Sequence, residues 1–223
     1  MSDDSFIREV EEELRNERLQ NFWKNYGKLI IAAAVAIVLV TGGFRAYEWY
    51  TAQQAAAEGD AFMEAVRLTQ GDDADAASNA LSKLASEGSP AYKASAQMRL
   101  AAELAKAGEF DKAIEQYDKI IADNAADENF RAIARLRAGF ILVDTGSVTD
   151  VEARVGSLTG PGAPYRGSAR EALGMAYYKA GDLENAFKQF DAVQVDEGTP
   201  QGMRERVRIM LELIASNGGP VKQ

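Results

Sequence analysis

The sequence predicts an all-α protein in which a single N-terminal transmembrane helix is followed by a solenoid of stacked helix pairs. Two observations lead to this fold class. The first is an uncharged apolar stretch from Leu29 to Phe44. The second is a set of three glycine-containing turns that recur at nearly constant spacing along the rest of the chain. Only five of the 223 residues are proline, which suits a chain made largely of helices.

The composition removes several classes of function. The chain contains no cysteine and no histidine, so thiolate nucleophiles, disulfides, His–Asp relays and conventional zinc sites are excluded. Its 25 basic and 34 acidic residues give a net charge of −9, which makes nucleic acid a poor partner because phosphate binding needs a basic surface. A site built from carboxylates alone remains open on composition, but we expect no cofactor.

The apolar stretch is predicted to cross a membrane. Its sixteen residues reach about 24 Å as a helix, slightly less than the hydrocarbon core of a bilayer. Lys28 and Arg45 can extend the span because their long side chains reach toward water. Aromatic residues bracket the stretch, and the 26 positions from Trp23 to Trp49 cover about 39 Å, which matches the distance between two membrane interfaces.

Two alternatives compete with a membrane span. A core helix could also carry sixteen apolar residues, but the aromatic residues on both sides favour the span. A cleaved signal peptide would need a short basic leader and a small-residue cleavage site. Here 28 residues that include seven acids precede the stretch, and the bulky sequence Phe44-Arg45-Ala46-Tyr47 ends it. We therefore expect an uncleaved anchor.

The distribution of lysine and arginine predicts the orientation of the anchor. The twenty residues after the stretch contain only Arg45, whereas the twenty before it contain four basic residues, Arg15, Arg18, Lys24 and Lys28. Cytoplasmic flanks carry the excess of positive charge. The N-terminus is therefore expected in the cytoplasm, and the rest of the chain on the other side of the membrane.

The N-terminal arm shows helical periodicity. Ile7, Val10 and Leu14 recur at helical spacing, and Glu11 and Arg15 form an i,i+4 pair. A short amphipathic helix is expected here, either as a solvated extension or as a docking element for a cytoplasmic partner.

The exported part carries an internal repeat. Its turn glycines are 38 and 35 residues apart, at Gly108, Gly146 and Gly181. The last copy reads Leu173-Gly174-x-x-Tyr177, then Gly181, then Ala186-x-x-x-Phe190, which follows the tetratricopeptide (TPR) pattern at its proper spacing. The other two copies are softer versions, and a fourth turn at Gly71-Asp72 is weaker still. The repeat predicts a TPR-like α-solenoid.

Small residues have defined places in such a repeat. Gly174, Gly139 and Ala101 are expected where the two helices of a pair cross, together with Ala113 and Ala186 on the second helices, because larger side chains would push the backbones apart. The three turn glycines are expected to adopt the left-handed conformation that ends a helix.

These features divide the chain into six segments. In chain order we expect a cytoplasmic arm with an amphipathic helix (1–28), a transmembrane helix (29–44), a juxtamembrane helix with a degenerate first helical pair (45–90), TPR-like repeats (91–199), a capping helix (200–216) and a flexible tail (217–223).

Three segments resemble a known family. They are FWKNYGK before the apolar stretch (22–28), GFRAYEWY at its end (43–50) and ENFRAIARLR within the repeats (128–137). Together with the short acidic arm and the degenerate TPR region, they make the chain similar to the YfgM-like proteins, which are ancillary subunits of the bacterial Sec translocon. The resemblance covers essentially the whole chain.

The resemblance implies a single-pass protein of the inner membrane of a Gram-negative bacterium, with a cytoplasmic N-terminus and a periplasmic C-terminal domain. It implies association with Sec translocon subunits and with a membrane-anchored periplasmic chaperone of the prolyl-isomerase type, and help to newly exported proteins. Nascent exported polypeptides are a further candidate partner. The family offers no catalytic residues to carry over.

A TPR solenoid lines its concave face with the first helix of each pair. In the register given above, we expect an apolar, methionine-bearing groove there that receives a partner protein or a nascent chain, formed by Met98, Ile133, Leu136, Phe140, Met175 and Tyr178. The alternative is that the first or last helix folds over these residues and makes them part of the core. A clamp for a chain terminus is not expected, because this face is mainly apolar.

Three functions compete on the sequence alone. The first is a membrane-tethered interaction protein for Sec-dependent export, and the second is a TPR scaffold of another envelope complex, for cell division or outer-membrane assembly. Only the family resemblance separates these two. An enzyme would need paired carboxylates in a cleft, but the acids lie beside Lys or Arg on helix faces and turns. Asp72-Asp73-Ala74-Asp75 lacks EF-hand spacing and indicates a turn and helix N-cap.

Overall fold

The computed structural model describes residues 3–71 and 73–221, without the side chains of residues 3–14, 16, 18 and 19. All the regular elements within these residues are helices, as the sequence predicted. The chain divides into two compact units, Met1–Ala56 and Ala57–Gln223.

The first unit is formed by helix α1, which runs over Asp3–Leu68 and ends inside the second unit. Ile7, Val10 and Leu14, the predicted apolar face of the arm, have side chains that lie outside the described residues. Every side chain from Leu29 to Phe44 is exposed. Among the described residues, α1 is the one helix that is long and apolar enough to cross a membrane, so its length and composition agree with the predicted anchor.

The second unit combines the last turns of α1 with shorter helices. These are α2 (Ala74–Glu87), α3 (Pro90–Lys106), α4 (Phe110–Ala122), α5 (Glu128–Thr145), α6 (Val148–Val155), α7 (Arg166–Lys179), α8 (Leu183–Gln194) and α9 (Gln201–Ser216). Helices α3–α4, α5–α6 and α7–α8 form the predicted pairs, consecutive helices pack against each other, and α9 packs against α8. The weak fourth turn is also present, since α1 ends just before Gly71.

Short polar side chains start several of these helices. The Asp73 carboxylate accepts a hydrogen bond from the backbone N–H of Ala76 at 2.9 Å and caps α2, as expected for the acidic run, in which Asp72 lies outside the described residues. Asp182 caps α8 in the same way, and the hydrogen bond from the Asn185 backbone N–H holds the pKa of that carboxyl below its usual value.

The turn glycines differ in conformation. Gly108 and Gly181 each have a φ of 79°, so the predicted left-handed helix ends are confirmed at these two positions. The prediction is wrong for Gly146, which is extended, with φ −115° and ψ −167°. A capping box between Ser147 and Asp150 starts α6 directly after it. Glycine is still favoured at this position for a steric reason, because the β-carbon of another residue would lie 3.0 Å from Cδ2 of Leu142.

Small residues allow the two helices of a pair to approach closely. A β-carbon on Gly174 would lie 2.7 Å from Cε1 of Phe190, and one on Gly139 would lie 2.5 Å from Cγ1 of Val155. Ala101, Ala113 and Ala186, the other predicted crossing residues, are fully buried. The close crossings lie within the pairs α7–α8 and α5–α6, which confirms the role that the sequence assigned to Gly174 and Gly139.

Two ion pairs tie α7 to the C-terminal end of the unit. The Arg166 guanidinium donates to both carboxylate oxygens of Asp196, at 2.5 and 2.6 Å, and so joins the start of α7 to the loop after α8. Arg206 on α9 donates to both oxygens of Glu171 at 2.9 and 3.0 Å. These bidentate contacts fix the last helix of the solenoid against the last pair.

Replacing Gly174 with alanine tests the close crossing. Alanine is a better helix former by about 1 kcal/mol, but its β-carbon would overlap the buried Phe190 ring, and overpacking a core costs about 1–3 kcal/mol. We expect Gly174→Ala to lower the unfolding midpoint of the full-length protein in detergent micelles, followed by far-UV circular dichroism. Gly202→Ala is the matched control, because a β-carbon there meets no atom within 4 Å. Equal midpoints for the two variants would contradict the analysis.

The Arg166–Asp196 pair predicts a pH dependence. The hydrogen bonds from Arg166, and then from the Gly198 backbone, lower the pKa of Asp196 to about 2, below the ordinary value of about 3.9. The pair therefore contributes its stability above about pH 4, and this contribution is lost as the pH falls from about 4 toward 2. We expect the unfolding midpoint of the unaltered protein to decrease as the pH falls from about 4 toward 2. Asp196→Asn should have a lower midpoint than the unaltered protein at pH 6, and its midpoint should decrease less below pH 4.

Glu197→Gln, a change at the exposed neighbouring position, is the control for this titration and should follow the unaltered protein. If the unfolding midpoints of Asp196→Asn and of the unaltered protein decreased in parallel from pH 6 to pH 2, the pair would not be the source of the acid sensitivity.

Candidate functional site

An open cleft lies on the face of the second unit that the first helices of the pairs form. It has a volume of about 340 Å³ and is bordered by the end of α1, by α3 and by α5, with one residue from α4. Its lining consists of Phe62, Ser95, Met98, Arg99, Ala102, Tyr117, Phe130, Ile133 and Arg137. We call this surface the α3–α5 cleft.

Helical spacing places these residues on one surface. Four of them recur at i, i+3, i+4 and i+7 along α3, and Phe130, Ile133 and Arg137 recur at i, i+3 and i+7 along α5. The adjoining faces of the two helices carry small residues that are buried against α4, including Ala101 on α3 and Ala138 on α5. These alanines allow α3 and α5 each to pack closely on α4, and the larger side chains lie toward the cleft.

The apolar side chains of the cleft are only partly buried. Met98 and Phe130 lie at the border of the core cluster between α3, α4 and α5, and Phe62 lies at the border of the cluster between α1, α2 and α3. Ile133 is also half-buried. The cleft therefore presents apolar surface to the solvent, at the place where a solenoid of helix pairs receives extended or helical segments.

Tyr117 forms part of the cleft wall. Its side chain is 2% exposed, and burial raises the pKa of its hydroxyl, while the positive charge of Arg137 acts in the opposite direction. A raised pKa favours the neutral form of the hydroxyl. It can therefore donate and accept hydrogen bonds without adding a negative charge to the cleft.

The structure brings two of the six predicted groove residues, Met98 and Ile133, into the α3–α5 cleft. Leu136 lies elsewhere, since it is 7% exposed and belongs to the core between α5, α6 and α7. Phe140 and Met175 pack at the border of the same core. These three residues therefore do not line the cleft.

The short second pair explains this difference. Helix α6 has eight residues, so α7 packs directly against α5 as well as against α6. The α7 residues Ala172, Leu173 and Ala176 share a core cluster with Leu136. In the first repeat, by contrast, α3 and α5 are separated enough to leave a cleft between their outer faces.

Tyr178 lies away from the cleft, near the last helix. It packs at the border of the core between α7, α8 and α9, and its hydroxyl accepts a hydrogen bond from the side-chain amide of Asn217 at 2.8 Å. Tyr178 therefore contacts the C-terminal end of the unit while staying half-buried.

Sequence reasoning missed most of the charged and aromatic lining. The spacing of Phe130, Ile133 and Arg137 along α5 was readable from the periodicity of that helix. Arg99, one position after Met98, falls on the same helical face as Ser95. Phe62 had no such signal, because the end of α1 lacks the repeat pattern and its place beside α3 depends on tertiary packing.

Several acidic side chains of the described residues lie beside a basic side chain. Among the described residues, no group of three or more acidic side chains is placed to hold a metal ion. Several acids are instead paired with a base one helical turn away, as in Glu184–Lys188 and Glu205–Arg208. Such pairs are typical of solvated helix surfaces.

Stacked helix pairs with an open apolar cleft define a helical-repeat protein of the interaction-scaffold class. The chain matches the family described as "Tetratricopeptide repeat-like domain" over residues 20–216, and it belongs to that family. The match begins ahead of the apolar stretch and ends with α9. The repeats of this family typically serve as non-catalytic interaction scaffolds. Neither the curated proteins nor the solved structures gave a significant match.

Two substitutions on α5 test which residue belongs to the core and which to the cleft. Leu136→Ala removes a buried side chain and is expected to lower the free energy of unfolding by about 2–5 kcal/mol. Ile133→Ala, one turn earlier on the same helix, removes a half-buried side chain and should cost clearly less. Urea unfolding of the full-length protein in detergent micelles measures both. A larger cost for Ile133→Ala would place the cleft residue in the core.

Proposed function

We propose that this chain is a membrane-anchored TPR-like protein that binds a protein partner through the α3–α5 cleft. The observation that carries the proposal is the apolar lining of this cleft, where Phe62, Met98, Phe130 and Ile133 are half-buried and open to solvent. Half-buried apolar side chains that converge in one cleft gain contact area when a partner covers them. In this proposal Met98 and Ile133 contact the partner, and Leu136 supports α5 from the core.

The anchor is the apolar part of α1. The exposed side chains from Leu29 to Phe44 would lie in the hydrocarbon core, with Trp23 and Trp49 at the two interfaces. The excess of lysine and arginine before this stretch supports a cytoplasmic N-terminus. The second unit would then lie in the periplasm of a bacterium with an inner and an outer membrane.

The partners follow from the family resemblance of the three sequence segments. They would be subunits of the Sec translocon, reached through the anchor, and a membrane-anchored periplasmic chaperone or nascent exported polypeptides, reached through the cleft. The protein would help exported chains to leave the channel. It would act by binding alone, without catalysis, cofactor or nucleic acid, as the family membership and the acidic composition favour.

Site-specific photo-crosslinking in living cells tests this function. A photoreactive amino acid is placed at Ile37 in the anchor, at Ile133 in the cleft and at Ala153 on α6, an exposed position outside the cleft that serves as the control. Mass spectrometry identifies the adducts. We expect Sec subunits from Ile37, a periplasmic chaperone or nascent chains from Ile133, and neither from Ala153.

Other adducts would lead to different conclusions. Cell-division or outer-membrane assembly proteins at Ile37 and Ile133 would replace the export function with that of a scaffold in another envelope complex. Adducts from Ala153 without adducts from Ile133 would place the binding surface outside the cleft and contradict the proposal.

A further inference from the structure

The charge of the α3–α5 cleft is opposite to that of the protein. The chain has a net charge of −9. Among the described residues that line the cleft, however, the charged ones are two arginines, Arg99 and Arg137, and the lining includes no acidic residue. The cleft is therefore a positively charged apolar surface on an acidic protein, so an acidic partner would be repelled by most of the surface and attracted here.

Arg99 is held in place by its neighbours. Its guanidinium contacts the Glu103 carboxylate at 2.9 Å, one turn further along α3, and also donates to the hydroxyl of Thr69. Its Nε atom is buried and has no hydrogen-bond partner in the described structure. Because Glu103 neutralises much of its charge, Arg99 fixes one wall of the cleft and leaves one donor unpaired.

Arg137 has no such partner. It is exposed at the cleft, and no ion pair or hydrogen bond joins its guanidinium to the described residues. Arg154 on α6 differs, since it is paired with Asp118 on α4. A guanidinium on a rigid helix, beside apolar side chains that reduce its hydration, is suited to bidentate pairing with a carboxylate.

We propose that the cleft recognises a partner segment that carries an acidic side chain among apolar ones. Arg137 would pair with the carboxylate, while Met98, Phe130 and Ile133 would contact the apolar side chains on either side. A free chain terminus is a poorer fit, because the lining contains no lysine or asparagine to complete a terminal clamp. This inference rests on the proposed function and adds the chemistry of the partner.

Peptide binding to the full-length protein in lipid nanodiscs tests the inference. The probes are short fluorescein-labelled peptides with amidated ends and a leucine- and phenylalanine-containing centre that carries glutamate, glutamine or lysine at one position. Fluorescence anisotropy gives the affinities. Because a charge-assisted pair at the edge of an interface has a modest strength, we expect the glutamate peptide to bind about tenfold more tightly than the glutamine peptide at low salt.

Substitutions assign this preference to Arg137. Arg137→Gln should bind the glutamate and glutamine peptides equally, and Arg137→Glu should prefer the lysine peptide. Arg135→Gln is the matched control, because it makes the same change two positions away on α5 and outside the cleft. It should keep the preference for glutamate. Circular dichroism spectra and unfolding midpoints verify that each variant is folded.

The outcomes separate this inference from the proposed function. Equal binding of the glutamate and glutamine peptides to the unaltered protein would overturn the acidic specificity, and the apolar cleft would still stand if Ile133→Asp abolished binding. A glutamine peptide with a free C-terminus that bound as tightly as the glutamate peptide would assign the site to chain termini instead. No binding of any peptide, or binding unaffected by Ile133→Asp, would overturn both proposals.

Discussion

The second unit depends on how closely the two helices of each pair can approach. At Gly174 the ring of Phe190 occupies the space that a β-carbon would need, and Val155 does the same at Gly139. Because the small residue lies on one helix, the large side chain of the other can reach across the crossing and make dispersion contacts along its length. These crossings bring the two helices of the pairs α5–α6 and α7–α8 into close contact.

The repeats differ in how far apart their first helices lie. The eight-residue α6 is too short to separate α5 from α7, so Leu136 becomes core where a longer helix would leave it near the surface. The first repeat keeps α3 and α5 apart, and the end of α1 contributes Phe62 to the border of the gap. The degenerate second copy is therefore closed where the first repeat leaves a cleft.

The charged side chains differ in whether they are paired within the fold or lie at the cleft. Asp73 and Asp182 are engaged at helix N-termini, and the Arg166–Asp196 and Arg206–Glu171 pairs connect α7 to the elements that follow it. These charges are satisfied within the fold. Arg137 stands apart, since it lies at the cleft without a partner among the described residues. A charge that the fold does not use, beside exposed apolar side chains, is the feature that links this architecture to a choice of partner.

The sequence by itself determined the features that depend on neighbouring residues: the apolar stretch, the helix pairs, the small crossing residues and the cap at Asp73. It placed Met98 and Ile133 on one surface for the same reason, because the helical period relates residues within one or two turns, and both line the α3–α5 cleft. The burial of Leu136 and the position of Phe62 were decided by the tertiary structure. Both depend on how far a separate helix extends, and no local periodicity records the distance between elements that are remote in sequence.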